Sequence, residues 1–244
     1  YFNTVLYTGD GTSSRSITGV GFQPDFVWLK TRSAADNHIL QDAVRGNDRQ
    51  LFSNTTEAEL NNSTTQLLSF DSDGFTIGSD SGVNGSGRTF ASWNWKANGS
   101  GSSNTDGSIT STVSANTTAG FSIVKYNGND TAGDTIGHGL SAAPEFILIK
   151  RLTTGGISLS NWTVYHQGTS STPQNDYMFF NTTAAKGSSS TVWNNTAPTS
   201  SVITLSTSDN VNYSTDDYIA YCFHGVEGYS KFGSYTGNGS TDGP

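Results

Sequence analysis

The sequence predicts an all-β protein built from two tandem antiparallel β-sandwich domains of the same topology. Three observations lead there: a polar but weakly charged composition, apolar residues spaced as in strands, and a long unit that occurs twice. Only 13% of the 244 residues are charged, about half the usual share, and Ser, Thr, Asn and Gly fill the polar positions. Aromatics reach 11%, bulk that a disordered polar tract lacks. Such a chain suits many short strands joined by small-residue turns.

The repeat sets the organisation. Tyr7-Thr8-Gly9-Asp10-Gly11 leads to Pro24-Asp25-Phe26-Val27-Trp28-Leu29-Lys30. Tyr126-Asn127-Gly128-Asn129-Asp130 leads in the same order to Pro144-Glu145-Phe146-Ile147-Leu148-Ile149-Lys150. Leu51 to Thr56 parallels Met178 to Thr183, Val83-Asn84 parallels Val211-Asn212, and Phe90 to Trp95 parallels Tyr218 to Phe223. Tyr235-Thr236-Gly237-Asn238-Gly239 opens the motif a third time, and Pro244 follows soon after. Units this long read as tandem domains rather than solenoid rungs. The expected divisions are 1–97 for the first sandwich, 98–106 for a Gly/Ser linker, 107–235 for the second sandwich and 236–244 for the start of a third. The chain opens on Tyr1 with neither Met nor an apolar leader, so it reads as a piece of a longer protein.

Local signals are those of strands. Ala91, Trp93 and Trp95 alternate onto one face, as do Ile219, Tyr221 and Phe223, and that face is expected to point inward within each sandwich. Phe26 to Leu29 and Phe146 to Ile149 are unbroken apolar runs, the pattern of strands buried on both sides. Asp73-Gly74 before Phe75 is a hairpin signal, and Ser108 to Val113 is expected to open the second domain as an edge strand. Asp36 to Arg45 fits a short helix or an irregular strand.

Charge narrows the partners. The net charge is −8 and the basic residues are scattered, with Arg45 and Arg49 flanked by Asp42 and Asp48. Nucleic acid is therefore not an expected partner, because phosphate binding needs clustered positive charge. No apolar run approaches the ~18 residues of a membrane span, so no membrane partner is expected. Cys222 stands alone, which excludes an internal disulfide and a thiolate zinc cage.

Gly21-Phe22-Gln23-Pro24-Asp25-Phe26-Val27-Trp28-Leu29-Lys30, Phe70-Asp71-Ser72-Asp73-Gly74-Phe75 and Tyr218 to Phe232 resemble a repeat of marine bacteriophage structural proteins. The resemblance covers nearly the whole chain. It implies a fold similar to concanavalin A-like sandwiches, that is, jelly-roll or lectin-like, in a tail-fibre-like protein at the virion surface. Other virion proteins or copies of the chain itself are then the expected partners, with a homo-oligomer as the expected state and bacterial cell-surface glycan as the expected ligand. The alternative is a spacer or capsid-decorating fibre without a ligand. The resemblance brings no functional residue with it.

The chemistry-bearing residues point the same way. Glycoside hydrolysis needs two carboxyl groups about 5–9.5 Å apart. Glu57-Ala58-Glu59 has Ala184-Ala185-Lys186 as its counterpart in the other copy, and Asp216-Asp217 would point to opposite faces of a strand. No enzymatic activity is expected, and a depolymerase is the least favoured reading. His38, His138, His166 and His224 lack metal-ligand spacing, and no Gly-x-Ser-x-Gly elbow occurs. Asp71-Ser72-Asp73-Gly74 offers oxygen ligands for calcium but lacks the later acidic positions of a calcium loop, so a hairpin turn is expected and no cofactor. Trp162, Trp193 and Tyr213, in polar loops, are the ligand-binding candidates, since aromatic faces flanked by Asn and Asp suit sugars. The competing expectation is that the tryptophans plug the sandwich ends.

Overall fold

Side-chain alternation sorts the apolar residues into faces, and the faces sort the strands into layers. A computed structural model describes residues 1–61, 64–153 and 160–243. The first half forms β1 (Phe2–Thr8), β2 (Arg15–Thr18), β3 (Phe26–Thr31), β4 (Ile39–Asp42), β5 (Gly46–Phe52), β6 (Leu60–Asn61), β7 (Leu67–Asp71), β8 (Gly74–Ile77), the short helix α1 (Ser81–Asn84) and β9 (Thr89–Trp95). The second half forms β10 (Ser102–Asn104), β11 (Ser111–Asn116), β12 (Phe121–Asn127), β13 (Thr135–Gly137), β14 (Phe146–Arg151), β15 (Thr163–His166), β16 (Asp176–Phe179), β17 (Gly187–Ser188), the helical turn α2 (Ser190–Trp193), β18 (Val202–Thr204) and β19 (Asp217–Phe223).

Among the described residues four antiparallel sheets result, in the orders β1-β9-β3-β4-β5-β6, β10-β11-β12-β19-β14-β15-β16-β17, β2-β8-β7 and β13-β18. The repeated Pro-acid-apolar-Lys strings occupy matching positions. Phe26 lies opposite Trp95 and Lys30 opposite Ala91; Phe146 lies opposite Phe223 and Lys150 opposite Ile219. Hydrogen bonds repeat as well. Asn84 Oδ1 accepts from the Asp10 N–H at 3.1 Å and Asn212 Oδ1 accepts from the Asn129 N–H at 3.0 Å. Asn54 Oδ1 accepts from the His38 N–H at 2.8 Å, and Asn181 Oδ1 from the Trp162 N–H at 2.9 Å. Tyr7 and Tyr126 each donate to a carbonyl, of Val83 and Val211, at 2.7 Å.

Three apolar clusters separate four layers. Val27 and Leu29 on β3 meet Ile17, Phe75 and Ile77 of the three-stranded sheet. Ile147 and Ile149 on β14 meet Ile136 and Ile203 of the two-stranded sheet. The alternate residues, Phe26 and Trp28 on β3 and Phe146 and Leu148 on β14, belong to a third cluster in which the two large sheets pack on each other. The unbroken apolar runs thus reflect strands buried on both faces, as their sequence predicts.

The third cluster corrects one expectation. Trp95, Ile219, Tyr221 and Phe223 point toward the other half of the chain, not into the interior of their own. Period-two alternation identifies a face but not what covers it. Phe26 and Tyr221 stack at 4.3 Å between ring centroids. Beside them, buried Arg45 pairs with buried Asp42 and, at 3.1 Å, with Glu59, while the Tyr221 hydroxyl donates to Asp42 at 2.7 Å. Burial works against the Arg45 charge, but Asp42 and Glu59 outweigh it and raise the guanidinium pKa.

The stretch 98–106, expected as a loose linker, instead contributes β10, so the edge of the second large sheet is β10 rather than the Ser108 to Val113 segment. Local anchors explain the difference. The Asp25 carboxylate accepts from the Ala97 N–H at 2.7 Å, Asn98 N–H donates to Ser114 Oγ at 2.8 Å, and Asn116 Nδ2 donates to Lys96 O at 3.1 Å. At Gly101 a Cβ would sit 2.8 Å from the Val113 carbonyl oxygen, so its glycine serves close strand approach rather than flexibility. Within Asp36 to Arg45 the strand reading holds, through β4. The Asp71-Ser72-Asp73-Gly74 hairpin forms, with Asp71 opposite Gly74. Pro244 lies outside the described residues.

Candidate functional site

Where the two large sheets diverge, the β3/β9 face of the first half emerges from under the second half. Trp28 and Lys30 on β3 and Trp93 and Trp95 on β9 share that face, half-buried. Pairing puts Trp28 opposite Trp93, and the rings meet edge-on at 6.4 Å. From the other half Phe180 comes edge-on to Trp28 at 5.7 Å; it is 45% exposed. Three hollows of about 410, 810 and 270 Å³ share Trp28 and form one trough. Its deep end is lined by Phe2, Phe121, Phe146 and Phe223, roofed by Phe232, which stacks on Phe146 at 6.0 Å. Its open end is polar, with His38, Asn54, Asn181 and Thr182.

The polar rim is held in place by local bonds. Lys30 Nζ donates to the carbonyls of Thr31, Ala34 and Asp36 at 2.8, 3.3 and 3.1 Å, folding the 31–36 loop over the strand end and presenting His38. Partial burial and the Lys30 charge lower the His38 pKa, so its imidazole is neutral at neutral pH. Asn54 Nδ2 donates to Asn37 at 2.9 Å and Asn181 Nδ2 to Asn161 at 3.0 Å, fixing the amides at the rim. The described lining contains no carboxylate. Aromatic walls with a few fixed amides and a neutral imidazole can stack on C–H faces and bond hydroxyls; they hold no acid–base pair for glycoside cleavage.

The residues singled out from sequence lie elsewhere. Trp162 is fully buried between the large sheets, stacks near Tyr221 and donates through Nε1 to Phe52 O at 2.8 Å. Trp193 is buried between the second large sheet and the two-stranded sheet, its Nε1 donating to Asp176 O at 2.9 Å. Both are plugs rather than ligand platforms, because burial leaves no ring face for a sugar. Tyr213 is half-buried and its ring carries the Arg151 guanidinium at 4.6 Å; Arg151 is ion-paired with buried Asp216. The three do not converge on one surface.

Other groups are likewise absorbed by the fold. Glu59 is paired with Arg45 and, at 3.7 Å, with Arg49. Asp73 accepts from the Gly19 and Gly21 N–H groups at 3.1 and 2.6 Å, and Asp71 accepts from Ser69 and Thr76 hydroxyls at 2.7 Å, so the hairpin acids spend their oxygens on the turn. Among the described residues no three His, Cys, Asp or Glu side chains are grouped to hold a metal ion. Burial pushes the Cys222 thiol up to about 12, which leaves it inert. Sequence reasoning passed over Trp28, His38, Phe180 and Asn181. A signal existed: at matched positions the first copy carries Trp28, His38 and Trp93 where the second carries Leu148, Trp162 and Tyr221.

Fold and trough together define an all-β protein of several antiparallel sheets with an open aromatic surface. Residues 1–244 match the model of DUF7483, a domain of unknown function, and the chain belongs to that family. No curated protein and no solved structure matches it.

Proposed function

We propose that this chain is a non-enzymatic, modular protein of a bacteriophage virion surface, tail-fibre-like, which binds bacterial cell-surface glycan in the trough around Trp28. In this reading each half is one jelly-roll-like sandwich, and the segment from 236 onward opens a further one. The virion assignment rests on the sequence resemblance. The glycan assignment rests on one observation: Trp28, Trp93 and Phe180 present aromatic surface beside Asn54, Asn181 and His38 with no carboxylate among the described lining residues. Sugar rings are bound by this pairing of apolar platform and fixed polar groups.

Binding to a panel of bacterial surface polysaccharides tests it. Wild type is expected to retain at least one polysaccharide, Trp28→Ala to lose it by tenfold or more, about 1.4 kcal/mol, and Trp193→Phe, far from the trough, to keep it. No retention of any polysaccharide favours the second reading, a spacer or capsid-decorating fibre without a ligand. That reading draws on the burial of Trp162 and Trp193, which spends two of the five tryptophans on packing. Reducing ends released from the same panel, abolished by one Asp or Glu substitution, would overturn the non-enzymatic assignment.

A further inference from the structure

The hollow at the open end of the trough is built by the duplication itself. Ser53 and Asn54 from the first copy line it together with Phe180 and Asn181 from the second. These belong to one turn present twice, Ser53 matching Phe180 and Asn54 matching Asn181. Trp28 and His38 add to the lining. The hollow lies on the β3-β4-β5 side of the first large sheet, remote from its β1 edge.

The two turns agree in backbone and differ in side chains. Both asparagines are spent on shape: each Oδ1 accepts a backbone N–H, and each Nδ2 donates to a neighbouring asparagine. Where the positions differ, the second copy has Phe180 and buried Trp162, and the first has Ser53 and His38. A ring therefore faces an imidazole and a hydroxyl. Among the described residues His38 bonds locally through its main chain alone, its N–H donating to Asn54 Oδ1 and its carbonyl accepting from the Ser53 N–H. Both ring nitrogens are left for a ligand. Ser53 is 1% exposed, and its Oγ has no hydrogen-bond partner among the described residues. A buried hydroxyl in that state costs stability. Nothing holds its χ1, so it is free to turn toward a ligand at the floor of the hollow.

We propose, resting on the glycan reading, that the ligand is an uncharged sugar held between the two copies of this turn. Its C–H face lies on Phe180 and Trp28, and its hydroxyl edge meets His38 and Ser53. A neutral imidazole and a hydroxyl can each donate and accept, the complement of a sugar hydroxyl. Charge sets the class. Among the described residues lining this open half, Lys30 is the only charged group, and its three N–H groups are spent on the carbonyls of Thr31, Ala34 and Asp36. No cationic donor remains there to pair with a carboxylate or phosphate. Lys231 lies at the deep end, and the chain's net charge of −8 repels acidic polymers.

Affinity electrophoresis of the 244-residue chain is the test, in gels carrying neutral or acidic (uronate- or phosphate-bearing) bacterial surface polysaccharides. Wild type is expected to be retarded by a neutral polysaccharide, equally at low and high salt, since no ion pair is there to be screened. Ser53→Ala should weaken retention about tenfold. Its melting temperature should be unchanged or higher, because the lost hydroxyl has no protein partner; a lower one marks a structural hydroxyl and counts against the proposal. His38→Leu should weaken retention by a similar factor, and His38→Gln, which keeps a neutral donor and acceptor, should recover most of it. Circular dichroism checks that the variants fold. Retention that Trp28→Ala abolishes but folded Ser53→Ala or His38→Leu leaves intact overturns this inference and spares the glycan reading. Retention by acidic polysaccharides alone, fading with salt, overturns the uncharged class. Retention by none overturns the inference and the glycan reading together.

Discussion

Leu148, Trp162 and Tyr221 in the second half are buried against the first half, whereas Trp28, His38 and Trp93, at the matched positions of the first half, are half-exposed and line the trough. The backbone around them is the same, down to the Asn54 and Asn181 bonds that hold the neighbouring turns. One sheet face has thus been given two uses without changing strand order. In the second half it is mainly a packing surface, with Phe146 and Phe223 reaching the deep end of the trough; in the first, Trp28 and Trp93 lie where the partner sheet leaves the face partly uncovered. What differs is the overlap of the layers, not the layer itself.

The largest test of this contrast is a matched pair of truncations. Tyr221→Ala empties a fully buried site and removes one of the bonds to buried Asp42, and is expected to cost about 3–5 kcal/mol in urea unfolding. Trp93→Ala at the equivalent position is expected to cost less, about 1–2 kcal/mol, because its ring is only partly buried. Equal losses would mean the two faces are used alike. A second pair asks whether the shared backbone is as equivalent as it looks. Asn84→Ala and Asn212→Ala each remove an amide bridging two loops and should each cost about 1–3 kcal/mol, similar to one another. A difference larger than either loss would break the equivalence.

The smallest effect concerns the lysines at the strand ends. Lys30 folds its own loop, whereas Lys150 is fully buried and donates to Thr56 O at 3.0 Å, across the layer boundary, and to Ser160 O. Burial first, then the Arg151 charge, lower the Lys150 pKa to about 8, with Glu57 opposing. The unfolded lysine keeps its proton to about 10.4. Between these values the unfolded chain binds more protons, so the Lys150 contribution to stability rises with pH, by at most about 1.4 kcal/mol per pH unit. Chemical denaturation at pH 8 and 9.5 should show a rise in wild type relative to Lys150→Met. The window ends there because buried Tyr126 and Tyr221, with pKa values raised by burial, oppose it at higher pH.

The strands, their faces and the duplication were legible in the sequence because each rests on local pattern: Phe26 to Leu29 needs only its own residues to read as buried on both sides. The trough was not, because it depends on how far one sheet slides over another, which leaves no period in the chain. Trp162 and Trp193 illustrate the same limit from the other direction. Their Ser- and Asn-rich neighbours suggest an open loop, yet each indole finds a carbonyl and an apolar bed supplied by residues far away in sequence. The 98–106 stretch misleads through composition, since Gly101 marks close contact with Val113 rather than freedom.

The small sheets at either side of the stack set a limit of another kind. Each large sheet has one face against its partner and the other against a small sheet, and the small sheets turn groups such as Ser16 and Thr76, joined at 3.2 Å, to the outside. Among the described residues the apolar clusters therefore lie between these four layers, and the two small sheets stand at the ends of the pile. In the proposed modular reading, a further unit would join onward through the connecting chain rather than as another sheet laid on top.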